Sequence, residues 1–293
     1  MASGKFSIGD LTAVIGDNGA EGEHRAGYNG IWSLTHRTQE KNLFVPIVAG
    51  MNLEHIFDGE TLDPPGQTKL FFEPRNAPMT FKRLSDNSAE LHQPPTPNFF
   101  LESWSTFTLR EPDAIDFTFR CRATQHVFRR GYIGLFWASY INAPDDKSLY
   151  FRGKNGGWLQ LCTAAHDSLS TVLHEKDEFE PTFVEGHRDC LYRNFSPLKY
   201  DTPFYYGLFG THIWILMFDR SEGIRFSHSP SGGGYNNEAQ TSNPAWDFQF
   251  LVPKYDVMKD YGFRARLIYR ERCSREEVVR AYEQWRAGLD DGP

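Results

Sequence analysis

Acid–base chemistry needs carboxylates, imidazoles and guanidinium groups that converge, and this sequence carries them in short clusters among apolar stretches. The first is Asn52-Leu53-Glu54-His55-Ile56-Phe57-Asp58. In a regular strand Asn52, Glu54, Ile56 and Asp58 share one face, while Leu53, His55 and Phe57 share the other, so Glu54 and His55 are expected to point apart. Such a polar face suits sugar hydroxyls, and it equally suits an ordinary amphipathic strand. Glu73 and Arg75 follow, on one face if extended, with Leu91-His92-Gln93 downstream. Arg75 is a fork of donors fit for hydroxyls or a carboxylate, the plain alternative being a structural ion pair at a strand edge.

His212 and Trp214 fall on the same face of a further strand, and His228 lies beyond them. Trp137, Tyr140 and Trp214 could stack on the apolar faces of a pyranose, although aromatic residues in such runs also serve simply as core. The acidic stretch His174 to Glu180, with Glu185 and His187, offers oxygen and imidazole ligands. Its spacing matches no metal-binding loop, so it reads as a solvated loop, and neither a metal nor another cofactor is expected. Walker, HExxH, GxSxG and dinucleotide fingerprints are all missing from the sequence.

The elements that must position these groups are strands. Ser103 to Leu109 and Ala114 to Phe119 alternate around the turn Arg110-Glu-Pro-Asp113 and read as a hairpin. Gly131 to Ile141 is nearly continuously apolar, as expected of a strand buried on both faces, and Trp214 to Phe218 repeats the pattern. Trp246 to Val252 and Tyr261 to Tyr269 are two more strands. Turn residues recur at the spacing of a sandwich or barrel. One helix is expected, over 274–287, where Ser274 and Glu277 form a capping box and Val278, Val279, Tyr282 and Trp285 share a face. The expectation is a single all-β domain over 1–293, a two-sheet sandwich closed by a short C-terminal helix.

Composition narrows the function classes. The chain has 293 residues, 24 of them Phe, and a formal charge of −7, so its core should be large and aromatic. No basic stripe is present to neutralise a phosphate backbone, which argues against nucleic acid as a partner. No apolar run reaches the roughly 18 residues of a membrane span. Cys121, Cys162, Cys190 and Cys273 lie far apart without a CxxC pair, and the first residues lack an apolar signal-peptide core. Reduced thiols in the cytoplasm are the simplest expectation; a trimmed signal peptide would look the same. Oligomeric state has no signature here.

The C-terminal part resembles the ending of galactose mutarotase-like proteins. The residues that carry the resemblance are Glu238-Ala-Gln240, Asn243-Pro-Ala, the strand into Leu251-Val-Pro253 and Tyr261 to Tyr269. Upstream, Arg75 precedes Leu91-His92 in the order that family shows. The resemblance implies a large antiparallel supersandwich that binds a sugar on the concave face of one sheet. It further implies that Arg75 and His92 orient the sugar and that Glu238 acts as base. The family's second histidine, its general acid, belongs to a strand that Gly134 to Asn142 most resembles, yet this segment holds none. His126, His212 or His228 would have to supply the proton, or the reaction differs.

The sequence therefore points to a sugar or glycoside as substrate. Glu238, His212, His228 and His92 are the catalytic candidates, and Arg75, Glu54, Trp137, Tyr140 and Trp214 the substrate-binding ones. Epimerase, lyase and hydrolase chemistry all remain open, as does a non-catalytic carbohydrate-binding protein.

Overall fold

A computed structural model describes residues 2–164, 169–187, 191–230 and 243–289. It opens with a 3-stranded antiparallel sheet of β1 (Ser3–Ile8), β2 (Leu11–Gly16) and β3 (Gly30–His36). All remaining strands belong to one 14-stranded sheet folded over on itself.

One layer of that sheet runs, in spatial order, through β4 (Asn52–Phe57), β9 (Ile133–Ala138), β16 (Ala245–Val252), β15 (Ile224–Ser229) and β12 (Thr171–His174). The other runs through β14 (His212–Phe218), β17 (Tyr261–Glu271), β8 (Ala114–Ala123), β7 (Leu101–Arg110), β6 (Ser88–Gln93) and β5 (Thr80–Arg83). The 15-residue β13 (Phe195–Phe209) links them: its first half pairs with β12 and its second half with β14. The β12–β13 pairing is parallel, and every other described strand pair is antiparallel. A short β10 (Leu149–Gly153) and β11 (Trp158–Leu161) hang from β13.

Aromatic side chains from both layers meet between them. Trp137 of β9 lies edge-on to Phe119 and Phe263 of the second layer and stacks on Phe248. The β7–β8 hairpin shows why alternation was readable: Ser103, Ser105, Phe107 and Leu109 point in, while Glu102, Trp104, Thr106 and Thr108 are half-exposed. Strands β4, β9, β15 and β16 are instead buried along their whole length, because chain segments cover the outer face of their layer.

Two α-helical elements are present among the described residues. A single turn, α1 (Glu73–Asn76), replaces the extended segment expected there, since Phe72 and Pro74 start a turn that β pairing never reaches. The C-terminal α2 (Arg275–Ala287) begins where the sequence placed it, with Ser274 and Glu277 completing the capping box. Its Val278 and Trp285 pack on Ile213, Ile215, Met217 and Ile268, covering the outer face of β14 and β17.

The small sheet is fastened to the large one by a buried pair of imidazoles. Nδ1 of His36, in β3, lies 3.1 Å from Nε2 of His212, in β14. The Thr38 amide donates to the same Nδ1 of His36, so that nitrogen holds a lone pair and His212 supplies the proton between the rings. Burial first, and the neighbouring His36 second, hold His212 below the usual imidazole value, with Glu271 opposing them. Asp10, 3.7 Å from His36, is the other carboxylate at the junction. Because the folded chain resists a proton that the unfolded chain accepts below about pH 6.5, stability should fall as pH drops through that value. Denaturant unfolding of His212→Gln should show a smaller loss between about pH 7 and about pH 5 than the parent chain. Equal losses would mean that this pair does not govern the acid limb.

Candidate functional site

The register of β4 against β9 decides the site. Leu53 pairs with Trp137, but His55 pairs with Phe136, so Glu54 is an extra residue bulged out of the ladder. Leu53 and Ile56 both join the inter-layer core, while His55 and Phe57 face the cover. Glu54 and His55 therefore share the outer face of the first layer, against the expectation from strict alternation. Their side chains approach to 3.6 Å, Oε2 to Nε2.

Other segments converge on Glu54. Its Oε1 accepts hydrogen bonds from Arg75 Nη1 at 2.9 Å and from the Tyr140 hydroxyl at 2.5 Å. Arg75 comes from α1, where the helical turn sends it toward β4 and sends Glu73 the other way, onto the Asn98 amide. The Arg75 guanidinium lies 3.9 Å over the Tyr28 ring and 4.7 Å over Phe72, and its Nε donates to the Gly27 carbonyl. Burial alone would lower Arg75, but the Glu54 carboxylate, followed by Tyr140 and Tyr28, carries it above its ordinary value. Burial and then Glu54 push the Tyr140 hydroxyl well above the usual phenol range, so it stays protonated and donates. His55 Nδ1 lies 2.7 Å from the Phe71 carbonyl, which can only accept. That fixes the proton on Nδ1 and leaves Nε2 as the nitrogen that takes or gives a second one.

The face beyond Glu54 is polar as well. One cross-strand row joins Thr171, Ser227 and Asp247; the next joins Leu173, Arg225, Gln249, Phe136 and His55. Gln249 Nε2 donates to Ser227 at 2.8 Å and to Thr171 at 3.1 Å. Arg225 forms a two-pronged pair with Asp177 at 2.7 and 3.1 Å. Asp177 belongs to the acidic stretch expected as a solvated loop, and it serves instead as the counter-ion of a buried arginine. Burial raises the Asp247 carboxyl well above the carboxylate range; the Ser139 amide, which donates to Oδ1, opposes this, and the charge of Glu54 adds to it. Tyr28, Val45, Val48, Phe71, Leu191 and Tyr192 roof this face. Beneath them Asn52 Nδ2, Gln249 Oε1 and Arg225 Nη1 are buried without hydrogen-bond partners. Unmet polar atoms are rare in native interiors, and several on one sheet face suit a ligand or water rich in hydroxyls.

Of the residues proposed from sequence, Glu54, Arg75 and Tyr140 meet here. The remaining ones lie elsewhere. Trp137 and Trp214 are wholly buried in the inter-layer core, Trp214 stacked on Trp246, so neither offers a ring face to a sugar. His212 sits at the junction of the two sheets. His228 points to the core side of β15, where Nδ1 accepts from the Thr163 amide and Nε2 donates to the Lys147 carbonyl. His92 lies on the outer face of the second layer, 2.9 Å from Glu102 and stacked on Trp104. Glu238 lies outside the described residues, in the connection between β15 and β16.

Tyr28, Asp247, Gln249 and Arg225 were not singled out from the sequence. A signal existed for the last three: Ile-Arg-Phe-Ser and Trp-Asp-Phe-Gln-Phe alternate polar and apolar residues inside strands otherwise built for burial. Among the described residues no group of three or more His, Cys, Asp or Glu side chains is placed to hold a metal.

No family model and no curated protein matches the sequence. Solved structures do match in shape. An Escherichia coli protein described as a candidate aldose 1-epimerase shares 10% identity, covers 92% of this chain and 99% of its own, and gives a TM-score of 0.52. A galactose mutarotase-like protein from Lactobacillus casei also shares 10% identity and gives 0.52, over 92% and 100% of the two chains. A Synechocystis protein gives 0.52 at 8% identity, over 92% and 96%. The fold is galactose mutarotase-like. At such low identity the likeness speaks for the mutarotase-like fold alone, and the site must be argued from its own geometry.

The raised Asp247 carboxyl has a consequence for stability. From its ordinary value of 3.8 up to the raised folded value, the folded chain holds a proton that the unfolded chain has lost. Stability should therefore fall as pH rises through that window, by about 1.4 kcal/mol per pH unit. Asp247→Asn keeps the acceptor for Ser139 and removes the titration. Denaturant unfolding at neutral pH should find this variant more stable than the parent, and the reverse order would contradict a carboxyl raised by burial.

Proposed function

We propose that this chain is a carbohydrate-active protein that performs acid–base chemistry on a sugar ring at the covered face of its first layer. One observation carries the reading: the β4 bulge sets Glu54 and His55 side by side, with Oε2 and Nε2 facing each other at 3.6 Å. That gap is too long for a direct hydrogen bond, and a sugar hydroxyl beside it could bond to both.

The division of labour follows from the partners. Arg75 and Tyr140 both donate to Oε1, which orients the Glu54 carboxyl and leaves Oε2 to accept a proton from the substrate. His55, its Nδ1 proton committed to Phe71, would carry its second proton on Nε2 and deliver it to the ring oxygen or the departing oxygen. The unmet polar atoms of Asn52 and Gln249 belong to the same face and suit the remaining hydroxyls. Support from outside the site comes from the mutarotase-like fold and from the family resemblance of the sequence. The resemblance implies an orienting role for Arg75, and in this reading it would act through Glu54.

A non-catalytic sugar-binding protein is the second reading, favoured by the tight grip of Arg75 and Tyr140 on Glu54. Turnover separates the two. Polarimetry with free aldoses, and product analysis with glycosides and uronic-acid glycosides, should show activity that Glu54→Gln and His55→Gln each reduce by roughly 10²–10⁴-fold. Sugar binding that survives Glu54→Gln, in the absence of any turnover, would select the binding protein. No binding of any saccharide would overturn both readings.

A further inference from the structure

A cleft opens next to this pair. It has a volume of about 220 Å³ and lies between the loop after β4 and the segment before β13. Leu62, Pro64, Phe71 and Tyr192 form its apolar walls, and Thr61 and Gln67 stand in its lining with polar groups. Phe71 and Tyr192 line the cleft and also lie against His55. The Phe71 carbonyl accepts the His55 proton, the Phe71 ring lies 4.1 Å from the imidazole, and that ring also walls the cleft. Tyr192 lies 6.2 Å from His55 and stacks at 3.8 Å on Phe57, which follows His55 on the same face of β4.

We infer that this cleft is a second sugar subsite, and that the substrate is a saccharide of at least two linked rings rather than a free monosaccharide. The inference rests on the function proposed above and specifies its substrate class.

Three features support it. The lining is mixed, apolar on the walls with amide and hydroxyl groups among them, which matches a pyranose with its apolar faces and equatorial hydroxyls. The volume falls below the roughly 300–1,000 Å³ of pockets for drug-sized ligands, so the cleft takes one ring and leaves the rest of a ligand to lie at the Glu54–His55 pair. The loop is also braced without a ligand. Asp63 accepts from the Leu70 and Phe71 amides at 2.8 Å each, and Asp58 accepts from the Glu60 and Thr61 amides at 2.9 and 2.7 Å. A preformed cleft costs little ordering on binding. Leu62, 44% exposed, is among the few large apolar side chains left open to solvent in the described residues.

Calorimetric titration with D-galactose, D-glucose and D-glucuronate, and with lactose, cellobiose and a glucuronate-containing disaccharide, tests the inference. At least one disaccharide should bind about tenfold or more tightly than its component monosaccharide. In the Leu62→Ala/Gln67→Ala double variant that ratio should collapse toward one. Both side chains sit in a solvent-facing loop, and the variant's unfolding midpoint checks that the fold is kept. Monosaccharide binding that depends on Glu54, without any gain from a second ring, overturns the subsite and leaves the proposed function standing. A gain that survives the double variant also overturns the subsite. Failure of every saccharide to bind removes the proposed function and the subsite together.

Discussion

A carboxylate taken out of water costs several kcal/mol unless charge and hydrogen bonds replace its hydration, and the covered face of this protein is organised around meeting that cost for Glu54. Arg75 and Tyr140 answer it at one oxygen. Satisfying the carboxylate ties together pieces of chain far apart in sequence: the bulged β4, the turn α1, the segment after β9 and the loop that carries Tyr28. Arg75 is fixed in turn between the Tyr28 and Phe72 rings and by the Gly27 carbonyl. The cover over the sheet is thus fastened where the charges meet, and the same fastening leaves Oε2 toward His55.

The two faces of the first layer obey different rules. Toward the second layer it is apolar and aromatic, with Trp137, Trp246, Phe248 and Phe226 in one cluster. Toward its cover it carries Glu54, Asp247, Gln249, Ser227 and Arg225, all buried. A buried polar surface is stable only when each group finds a partner, and most do: Arg225 with Asp177, Gln249 with Ser227 and Thr171, Asp247 with Ser139. Burial also raises the Asp247 carboxyl well above the carboxylate range. Asn52 Nδ2, Gln249 Oε1 and Arg225 Nη1 have no such partner, and the proposed sugar chemistry lies on the same face.

Strands with one wet face were legible because alternation survives in them, as in β7 and β8. Strands buried on both faces were legible as apolar runs, and Asp247, Gln249 and Arg225 passed unnoticed inside them because polar residues in such runs look like interruptions. The histidines drew attention as catalytic candidates by type alone. His228 and His212 have nitrogens committed to carbonyl, amide or imidazole partners that come from distant segments, and nothing in their local sequence announces those partners.

The sequence by itself determined the all-β class, the hairpin at Arg110 to Asp113, the aromatic core and the capped C-terminal helix, since each follows from periodicity or from contacts within a few residues. It also brought forward Glu54, Arg75 and Tyr140. Only the tertiary structure decided that Glu54 and His55 face the same way. A bulge is a choice of register between β4 and β9, made when Leu53 and Ile56 both seek the core, and no pattern within β4 alone specifies it. The tertiary fold likewise decided that Arg75 reaches Glu54 from a helical turn, because charge pairing under burial acts across space and leaves no periodic trace in the chain.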